Sequence, residues 1–222
     1  MKEWIETPKG NQWAIGDVHG CHVHLRKLID LIQPNSEDQV IFLGDYIDRG
    51  PDSAAVIEQC LALKNKTQTH FLRGNHEAML LAARKKGQEA VLNQLNRLDG
   101  LSLMVEGEVP EKYWEFFEAT QYLFETENAW LVHGGVDFNQ DHPFEVYEDL
   151  LWIREMEIPE AQTKPIVHGH VPTPLHKIKE NLGEQSMNLP MDGGAVFKDR
   201  FPGMGHLCAL NLKDFELVSV TN

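Results

Sequence analysis

Short apolar runs alternate with amphipathic stretches through the first third of the chain. The runs at 13–15, 40–43 and 70–72 predict three short strands. The stretches between them carry apolar residues at helical spacing, and they predict one helix that ends before Pro34 and another over about 53–63. This alternation of strands and helices predicts right-handed crossovers in a largely parallel sheet.

The pattern becomes mainly helical over residues 78–120, where breaks near Gly87 and Pro110 separate three predicted helices. We interpret the aromatic residues of the third helix as core, although this segment could also form a cap that shapes a substrate site. The aromatic residues are Tyr113, Trp114, Phe116 and Phe117.

Strand patterns return in the last part of the chain. Apolar runs predict strands at 130–132 and 165–167, with a short helix over about 144–151 between them. Short strands and turns from 187 to 220, with segments at 191–197, 207–212 and 215–220 as the strand candidates, predict a second sheet packed on the first. We therefore expect an α/β protein, a sandwich of two mixed β-sheets flanked by helices, that forms a single domain over residues 1–222.

Charge limits the partners of the chain. Its 222 residues are 42% apolar, enough for one sizeable core, and 34 acidic against 20 basic residues give a net charge of −14. A surface this negative repels nucleic acid backbones, so we expect no nucleic acid partner. A single phosphate group is not excluded, because bound divalent metals would be the largest local charges.

Cysteine usage and the first residues indicate the compartment. Three cysteines, Cys21, Cys60 and Cys208, have no metal-binding or redox spacing, which fits a reducing cytosol. We treat Cys21, which lies near a predicted helix start, as an ordinary small residue. The N-terminus has no apolar signal core, and no apolar run approaches the ~20 residues of a membrane helix. We expect a cytoplasmic protein without a membrane partner.

Five predicted strands end in short motifs that place Asp, Asn or His beside glycine, and glycine lets the backbone turn sharply beneath a crowded site. Carboxylate, imidazole and amide groups without thiolate favour Mn²⁺, Fe or Zn²⁺. Six such residues suffice for two ions if one carboxylate bridges them. The candidate ligands are Asp17, His19, Asp45, Asn75, His133 and His170.

The loop at 44–50 adds Asp48 and Arg49 after the second predicted strand, where α/β sheets place their ligands. For this loop alone, a surface salt bridge between the two side chains explains the pair equally well. The loop becomes informative only together with the other strand ends.

The ordered motifs resemble the signature of the metallophosphoesterases. More narrowly, they resemble the phosphoprotein phosphatase family of serine/threonine phosphatases, in its short bacterial and phage branch. The motifs are Gly16-Asp17-Val18-His19-Gly20, Gly44-Asp45-Tyr46-Ile47-Asp48-Arg49-Gly50, Gly74-Asn75-His76-Glu77, His133-Gly134-Gly135 and Gly169-His170.

The resemblance implies two metal ions that share one carboxylate, with manganese as the expected metal and iron or zinc as alternatives. Asp45 would bridge the ions. One ion would be held by Asp17, His19 and Asp45, and the other by Asp45, Asn75, His133 and His170.

The resemblance also implies the roles of four further residues. Arg49 and Arg154 would bind phosphate oxygens. His76 would be the general acid that protonates the leaving alkoxide, and Asp48 would orient it. A hydroxide bound between the metals would attack phosphorus in line, without a phosphoenzyme.

Several positions keep alternatives open. His168 could take the place of His170, because it lies two residues earlier and could point the same way. We expect Arg73 to form a structural ion pair, and the segment Asp192-Gly193-Gly194 to be a further family segment or only a hairpin turn. The chain lacks the Ser-Ala-Pro-Asn-Tyr-Cys loop of the eukaryotic enzymes, so no regulatory subunit can be inferred.

The resemblance implies a metal-dependent phosphomonoesterase, a protein serine/threonine phosphatase that could also accept phosphotyrosine, with a phosphorylated protein or peptide as its partner. The first alternative is a diadenosine tetraphosphate hydrolase, which shares the signature in related form. The second is a scaffold that keeps the metals and binds phosphoproteins without turnover.

Overall fold

The computed structural model describes residues 3–198 and 200–221. Two five-stranded sheets are formed, and the first has the order β10-β9-β2-β3-β4. Its strands are β2 (Gln12–Ile15), β3 (Gln39–Phe42), β4 (Gln68–Phe71), β9 (His206–Asn211) and β10 (Leu217–Thr221). The parallel pairing of β2, β3 and β4 confirms the predicted parallel segment.

The second sheet has the order β1-β5-β6-β7-β8 and is also mixed. Its strands are β1 (Glu3–Trp4), β5 (Leu123–Glu125), β6 (Trp130–Val132), β7 (Ile166–His168) and β8 (Asn188–Pro190). The expected α/β sandwich of two mixed sheets flanked by helices is therefore confirmed.

Within the described residues, seven α-helices accompany the sheets. They are α1 (His22–Ile32), α2 (Ser53–Leu63), α3 (Asn75–Arg84), α4 (Gln88–Arg97), α5 (Glu111–Ala119), α6 (Tyr147–Trp152) and α7 (Leu175–Gly183). The third helix begins at Asn75, three residues earlier than the start at Ala78 that the apolar pattern predicts. The Asn75–His76 motif therefore lies in the first turn of α3 rather than in a loop before it.

The central strands β2 and β3 of the first sheet are buried on both faces, which explains why they are mainly apolar runs. Ile15 and Phe42 pack toward the helices, whereas Ala14 and Ile41 pack toward the second sheet. The predicted core aromatics of α5, 113–117, are buried in the cluster on the helical side. The alternation of side chains along each strand thus assigns one face to the helices and the other to the second sheet.

The prediction for residues 187–220 is wrong in two respects. The strand β9 pairs antiparallel with β2, through Ile15 and Ala209, so the last two strands extend the first sheet. Only β8 joins the second sheet, and the expected strand at 191–197 is a turn followed by the 3₁₀ helix Ala195–Phe197. Gly194 has a φ of 65°, which an extended strand does not accommodate.

The helical segment at 78–120 supports the 44–50 loop. The Arg49 N–H donates to the Leu98 carbonyl at 2.8 Å, and the Ser53 N–H donates to Ser102 Oγ at 2.9 Å. The Ser53 hydroxyl in turn accepts from the Asp48 N–H at 3.0 Å. These contacts fix the backbone on which Asp48 and Arg49 stand.

Arg73 does not form the expected ion pair among the described residues. Its guanidinium donates to the carbonyl oxygens of Phe117, Glu118 and Thr120 at 3.1 Å each, at the end of α5. It also donates to the Tyr122 hydroxyl at 3.0 Å. Arg73 therefore caps the carbonyl groups at the C-terminal end of α5, where Phe117 also accepts the N–H and the hydroxyl of Thr120.

No helix in residues 3–198 and 200–221 combines the length and the apolar character needed to cross a membrane.

Candidate metal centre

The predicted site residues converge where strands of the two sheets end. Loops after β2, β3 and β4 supply Asp17, His19, Asp45 and the first turn of α3, and loops after β6 and β7 supply His133 and His170. All six predicted metal ligands are buried, with side chains from both sheets in contact. The cluster thus lies where the ends of strands from both sheets meet, and the ends of strands are where α/β sheets place their ligands.

Three of the predicted ligands and two further residues of the 44–50 loop have left-handed backbone conformations, which cost about 1–3 kcal/mol each for residues with a side chain. Such strain persists only where many surrounding contacts hold the backbone in this conformation. Five of the ten non-glycine residues with positive φ in the described chain lie at the predicted ligands and in the 44–50 loop, which favours this edge as the candidate site. The residues, with their φ angles, are His19 (44°), Asp45 (52°), Asp48 (71°), Arg49 (63°) and His170 (65°).

Close approach of two loops explains the glycine that precedes Asp45. A Cβ on Gly44 would lie 2.7 Å from the Gly74 nitrogen and 2.9 Å from His133 Nδ1, and the φ of Gly44 is 101°. A side chain there would push the β3 loop away from α3. Glycine is therefore required by packing and by conformation together.

Glu77 holds these two loops together, a role that the sequence reasoning missed. Its carboxylate accepts the N–H groups of Asp45 at 3.0 Å, Tyr46 at 2.9 Å and Gly74 at 2.9 Å. Burial, with Asp45 close by, raises the pKa of Glu77 to about 8. Its position inside the Gly-Asn-His-Glu motif was the one signal available in the sequence.

The tautomers of two histidines leave ring lone pairs directed at the cluster. His19 Nδ1 donates to the Ile47 carbonyl and His133 Nδ1 to the Leu43 carbonyl, both at 2.8 Å. A carbonyl cannot donate, so each Nδ1 carries the hydrogen, and each Nε2 of the neutral ring is an acceptor. Burial lowers the pKa of both rings, that of His19 to about 3, which keeps them neutral.

These acceptor nitrogens face other acceptors, and His19 Nε2 also accepts from Arg49 Nη1 at 2.7 Å. His133 Nε2 lies 2.9 Å from Asn75 Oδ1 and 3.4 Å from Asp45 Oδ1, and His19 Nε2 lies 3.4 Å from Asp45 Oδ2. Lone pairs that converge in a buried site need a cation to offset their repulsion. A backbone carbonyl behind each imidazole is also the arrangement that orients histidines toward a metal. The donor set and its geometry therefore fit divalent metal ions.

Asp45 belongs to two groups of potential ligands, each with its ligand atoms within 4.8 Å of one another. One group adds His19 and His76, and the other adds His133 and His170. Burial raises the pKa of Asp45, but the neighbouring histidines outweigh burial and hold it well below its usual range. Asp45 is thus an ionised carboxylate shared by both halves of the cluster.

Asp17 lies at the other side of the cluster, where its carboxylate accepts the His170 N–H at 3.0 and 3.1 Å. Burial, then the nearby carboxylates of Asp192 and Asp45, raise its pKa well above the usual value. Three buried carboxylates this close would repel one another when ionised. Bound cations would offset that repulsion.

Asp192 is a further site residue, although the sequence left open whether its segment is only a turn. It is 2% exposed, its Oδ1 accepts the Gly194 N–H at 2.9 Å, and its Oδ2 has no partner among the described residues. Burial raises its pKa to about 7. A buried carboxylate oxygen without a partner next to Asp17 is a further sign of a cation site.

His76 and Asp48 form a separate hydrogen-bonded pair. His76 Nδ1 donates to Asp48 Oδ2 at 2.6 Å, and its Nε2 lies 3.9 Å from Asp45 Oδ2. Burial lowers the pKa of His76, but Asp45 and the Asp48 hydrogen bond outweigh burial and raise it above its usual value. The raised pKa favours the protonated ring, in which Nε2–H is available for donation.

The two predicted phosphate-binding arginines differ in their surroundings. Arg49 Nη1 donates to His19 Nε2 at 2.7 Å, so its guanidinium lies against the cluster. Arg154 is exposed after α6, and its charge lowers the pKa of His170 and of Asp192. Two cations thus border the cluster from different loops.

The structure separates His170 from His168. His170 Nδ1 lies 3.1 Å from Asn75 Oδ1, and its Nε2 is buried without a partner among the described residues. His168 is turned away, with Nε2 at 2.7 Å from Asn188 Oδ1. His170 is the one that the structure brings into the cluster.

Cys21 is an unreactive thiol. It precedes α1, but burial raises its pKa to about 11 rather than the helix start lowering it. This agrees with its interpretation as an ordinary small residue.

Comparison with known proteins now identifies the family. Residues 11–200 match the sequence profile of the calcineurin-like phosphoesterases. The chain belongs to this family. The predicted relationship to metallophosphoesterases is confirmed, and the cluster around Asp45 lies within the matched residues.

Relatives of this calcineurin-like phosphoesterase have two kinds of names. It is 41% identical over 80 residues to serine/threonine-protein phosphatase 1 of Salmonella typhimurium, which covers 36% of this chain and 35% of that protein. It is 30% identical over 129 residues to a symmetrical bis(5'-nucleosyl)-tetraphosphatase of Paracidovorax citrulli, covering 56% and 44%. The matches thus span less than half of either relative.

A crystal structure of a candidate diadenosine tetraphosphatase has the same fold as this phosphoesterase. The TM-score is 0.71 at 19% identity, and the match covers 98% of this chain and 97% of the other. A cold-active protein-tyrosine phosphatase from a Shewanella species gives a TM-score of 0.64 at 15% identity, covering 100% and 83%. At these identities the comparisons show the fold alone.

Proposed function

We propose that this phosphoesterase is a protein serine/threonine phosphatase that hydrolyses phosphate monoesters with two divalent metal ions. The observation that carries the proposal is the convergence of acceptor atoms around Asp45, beside His76, whose pKa is raised by Asp45 and by its hydrogen bond to Asp48. The candidate ligands of the metals are the six residues predicted from the sequence, and we propose manganese as the metal to test first, with iron and zinc as alternatives.

When bound, the metals would supply the charge that neutralises phosphate oxygens and activates water. The side chains supply the remaining steps. Arg49 and Arg154 would bind phosphate oxygens, with Arg49 moving its Nη1 donor from His19 to the substrate. Asp48 holds His76 with Nε2 toward the cluster, so His76 is placed to protonate the leaving alkoxide.

Two further proposals concern context. We propose that the substrate is a phosphorylated protein or peptide. We also propose that phosphotyrosine can be accepted, because no residue of the cluster distinguishes an alkoxide from a phenoxide leaving group. We also propose a cytoplasmic location, supported by three cysteines that are all buried free thiols.

A second candidate function is hydrolysis of a dinucleoside tetraphosphate. It is favoured by the relatives with that name, including the one matched over 129 residues. The matched folds do not separate the two candidates, since a protein-tyrosine phosphatase structure also matches the whole chain.

One comparison of rates decides between them. The manganese-loaded protein is assayed on a panel of phosphoserine, phosphothreonine and phosphotyrosine peptides and on diadenosine tetraphosphate. A higher kcat/KM for the peptides supports the protein phosphatase, and much faster cleavage of the dinucleotide would overturn it. Absence of turnover on para-nitrophenyl phosphate as well would leave the non-catalytic scaffold as the explanation.

A further inference from the structure

The Asp48 carboxylate uses only one of its two oxygens for hydrogen bonding among the described residues. Its Oδ2 accepts from His76 Nδ1 at 2.6 Å, whereas its Oδ1 is buried without a partner. A carboxylate accepts hydrogen bonds at both oxygens, and buried polar atoms usually have a partner. Hydrogen bonding alone therefore does not explain the orientation of this carboxylate.

The second cause lies in the segment between α4 and the 3₁₀ helix Leu101–Leu103. A Cβ built on Gly100 would lie 2.3 Å from Asp48 Oδ1 and 3.5 Å from Asp48 Cγ. No side-chain carbon approaches an oxygen as closely as 2.3 Å, so the Gly100 backbone packs directly against the carboxylate. The oxygen without a hydrogen bond is thus the one that Gly100 contacts.

Space, and not backbone conformation, requires glycine at position 100. Its φ of −93° and ψ of 4° are those of the third residue of a type I turn, which residues with a side chain also adopt. The other atom that a Cβ would meet is Leu95 Cδ2, at 2.9 Å, which is the end of a flexible side chain. Alanine at position 100 therefore keeps the backbone conformation and reduces mainly the room for the Asp48 carboxylate.

Gly100 is held in place on both sides. Its N–H donates to the Leu95 carbonyl at 2.8 Å, and its carbonyl accepts the Leu103 N–H at 3.0 Å. Leu95 and Leu103 are fully buried in the core on the helical side. A methyl group at position 100 would therefore displace the carboxylate and leave the segment in place.

The backbone of Asp48 is fixed as well, so its side chain is the part that can move. Its N–H donates to Ser53 Oγ at 3.0 Å, and the next N–H, that of Arg49, donates to the Leu98 carbonyl at 2.8 Å. A displaced carboxylate would rotate about its side-chain bonds. Rotation takes Oδ2 away from His76 Nδ1, because that hydrogen bond depends on distance and angle.

We infer that Gly100 is a positioning residue for the acid: it packs against Oδ1 and so holds the Asp48 carboxylate with Oδ2 on His76. The inference rests on the proposed function, in which His76 protonates the leaving alkoxide. The helical segment at 78–120, which contains Gly100, thereby acts on the reaction through the orientation of His76.

The test adds one methyl group and compares leaving groups. Gly100→Ala is compared with the wild type and with Gly183→Ala, a matched control at the end of α7 where an added Cβ lies in open space. The substrates are a phosphoserine peptide, whose leaving alkoxide needs a proton, and para-nitrophenyl phosphate, whose leaving group needs little protonation.

We expect kcat of Gly100→Ala on the peptide to fall about tenfold relative to its kcat on para-nitrophenyl phosphate, with KM unchanged. This is a part of the roughly 10²–10⁴-fold that loss of the acid itself costs. Equal falls on both substrates, no fall on the peptide, or the same fall in Gly183→Ala would overturn the inference.

A double variant separates positioning from a general loss of structure. Asp48→Ala removes the carboxylate that the methyl group would meet, so adding Gly100→Ala in that background should change neither kcat nor Tm further. A fall in kcat that persists in Asp48→Ala/Gly100→Ala would contradict the role. If Gly100→Ala alone melts far below the wild type, a Tm that recovers in the double variant supports the contact, and a Tm that stays low refutes it.

A crystal structure of Gly100→Ala separates this inference from the proposed function, because it does not depend on turnover. We expect the distance from Asp48 Oδ2 to His76 Nδ1 to lengthen from 2.6 Å to more than about 3.2 Å, the limit of a good hydrogen bond. An unchanged distance would refute the role of Gly100 even if every phosphatase assay succeeded. A lengthened distance, with no turnover of either substrate by the wild type, would refute only the proposed function.

Discussion

His76 shows how one side chain can be set for its role by its neighbours. Its Nδ1 is fixed by Asp48 at 2.6 Å, and its pKa is raised because Asp45 and Asp48 outweigh the effect of burial. A neutral histidine in the same place could not donate from Nε2, since its one hydrogen would be used on Asp48. Asp45 and Asp48 together therefore raise the pKa of the ring, and the hydrogen bond to Asp48 sets its orientation.

Replacing His76 should separate proton transfer from metal binding. We expect His76→Asn to lower kcat on substrates with poor leaving groups by roughly 10²–10⁴-fold, the range for loss of a general acid. The metal content, measured by atomic emission, should stay near that of the wild type. A smaller loss is expected on para-nitrophenyl phosphate, whose leaving group needs little protonation. Loss of metal in this variant would show that His76 is a ligand rather than the acid.

Replacing Asp45 should affect both metals. Because its two oxygens face His19 on one side and His133 on the other, we expect Asp45→Asn to reduce the bound metal below two ions per chain. Equilibrium dialysis with Mn²⁺ gives the stoichiometry, and Asp30→Asn on the outer part of α1 is the matched control. An unchanged stoichiometry of two would exclude Asp45 as the bridge.

The cluster could be predicted from the sequence because each predicted ligand stands at the end of a short apolar run. Asp192 and Glu77 were harder to assign. The position of Asp192 beside Asp17 depends on β8 and β9 joining different sheets, a long-range pairing that local patterns do not encode. Glu77 accepts hydrogen bonds from backbone N–H groups more than thirty residues away in the sequence. The Gly-Asn-His-Glu motif contains Glu77 but does not indicate these partners.

At the scale of elements, helix ends and loops position the chemistry. The residues after α4 hold the 44–50 loop through hydrogen bonds with Leu98 and Ser102. Arg73, just before α3, hydrogen-bonds to the end of α5 and so connects the two helices. The expectation that Arg73 forms an ion pair was wrong because its partners are carbonyl oxygens. Such carbonyl groups carry no signature in the sequence.

Removing the Arg73 cap should cost stability. We expect Arg73→Gln to lower the free energy of unfolding by about 1–3 kcal/mol, because it leaves helix-terminal carbonyls without a charged donor. Urea denaturation of the metal-free protein measures the change. Arg84→Gln is the control, since Arg84 pairs with Glu111 and Glu118 at the surface, where ion pairs contribute about 0–1 kcal/mol. Equal losses in both variants would contradict the capping role.

The histidine on β4 should make stability depend on pH. Burial lowers the pKa of His70, whose Nε2 is buried without a partner among the described residues, and its ring centroid lies 5.6 Å from that of Phe124. Below the unfolded value of about 6.5, the unfolded chain binds more protons than the folded one. This contribution to stability is therefore complete above about pH 6.5 and is lost as the pH falls.

We expect the His70→Phe variant of the metal-free protein to lose less stability than the wild type between pH 7 and pH 5. Phenylalanine keeps the contact with Phe124 and cannot be protonated. Thermal melting at a series of pH values measures the difference, with Gln68→Phe on the same strand as the control for added apolar surface. Parallel curves for His70→Phe and the wild type would show that His70 does not titrate in this range.

At the scale of the whole molecule, the sandwich joins the two halves of the cluster. The apolar runs predicted most strands of the first sheet, most clearly β2 and β3, because both faces of these two strands are buried. They did not predict β1 or β5, which are only two and three residues long, and they assigned β9 and β10 to the wrong sheet. The cluster receives candidate ligands from both sheets, so its assembly depends on the core between the sheets, which contains Ile41 and Leu131.

This arrangement predicts that metal ions stabilise the folded protein as a whole. In the metal-free protein, Asp17, Asp45 and Asp192 are buried close together, and the unfolded chain cannot present them as one site. Binding to the folded state alone adds about 2.7 kcal/mol at a metal concentration one hundred times Kd. For a chain of this length, that corresponds to a Tm increase of about 5–10 °C. Scanning calorimetry with and without Mn²⁺ measures it, and Asp45→Asn should show a clearly smaller increase, because it lacks the carboxylate that both halves share. An increase of the same size in the wild type and in Asp45→Asn would mean that the stabilising ions bind elsewhere. In that case the buried carboxylates do not join the two sheets through bound metal.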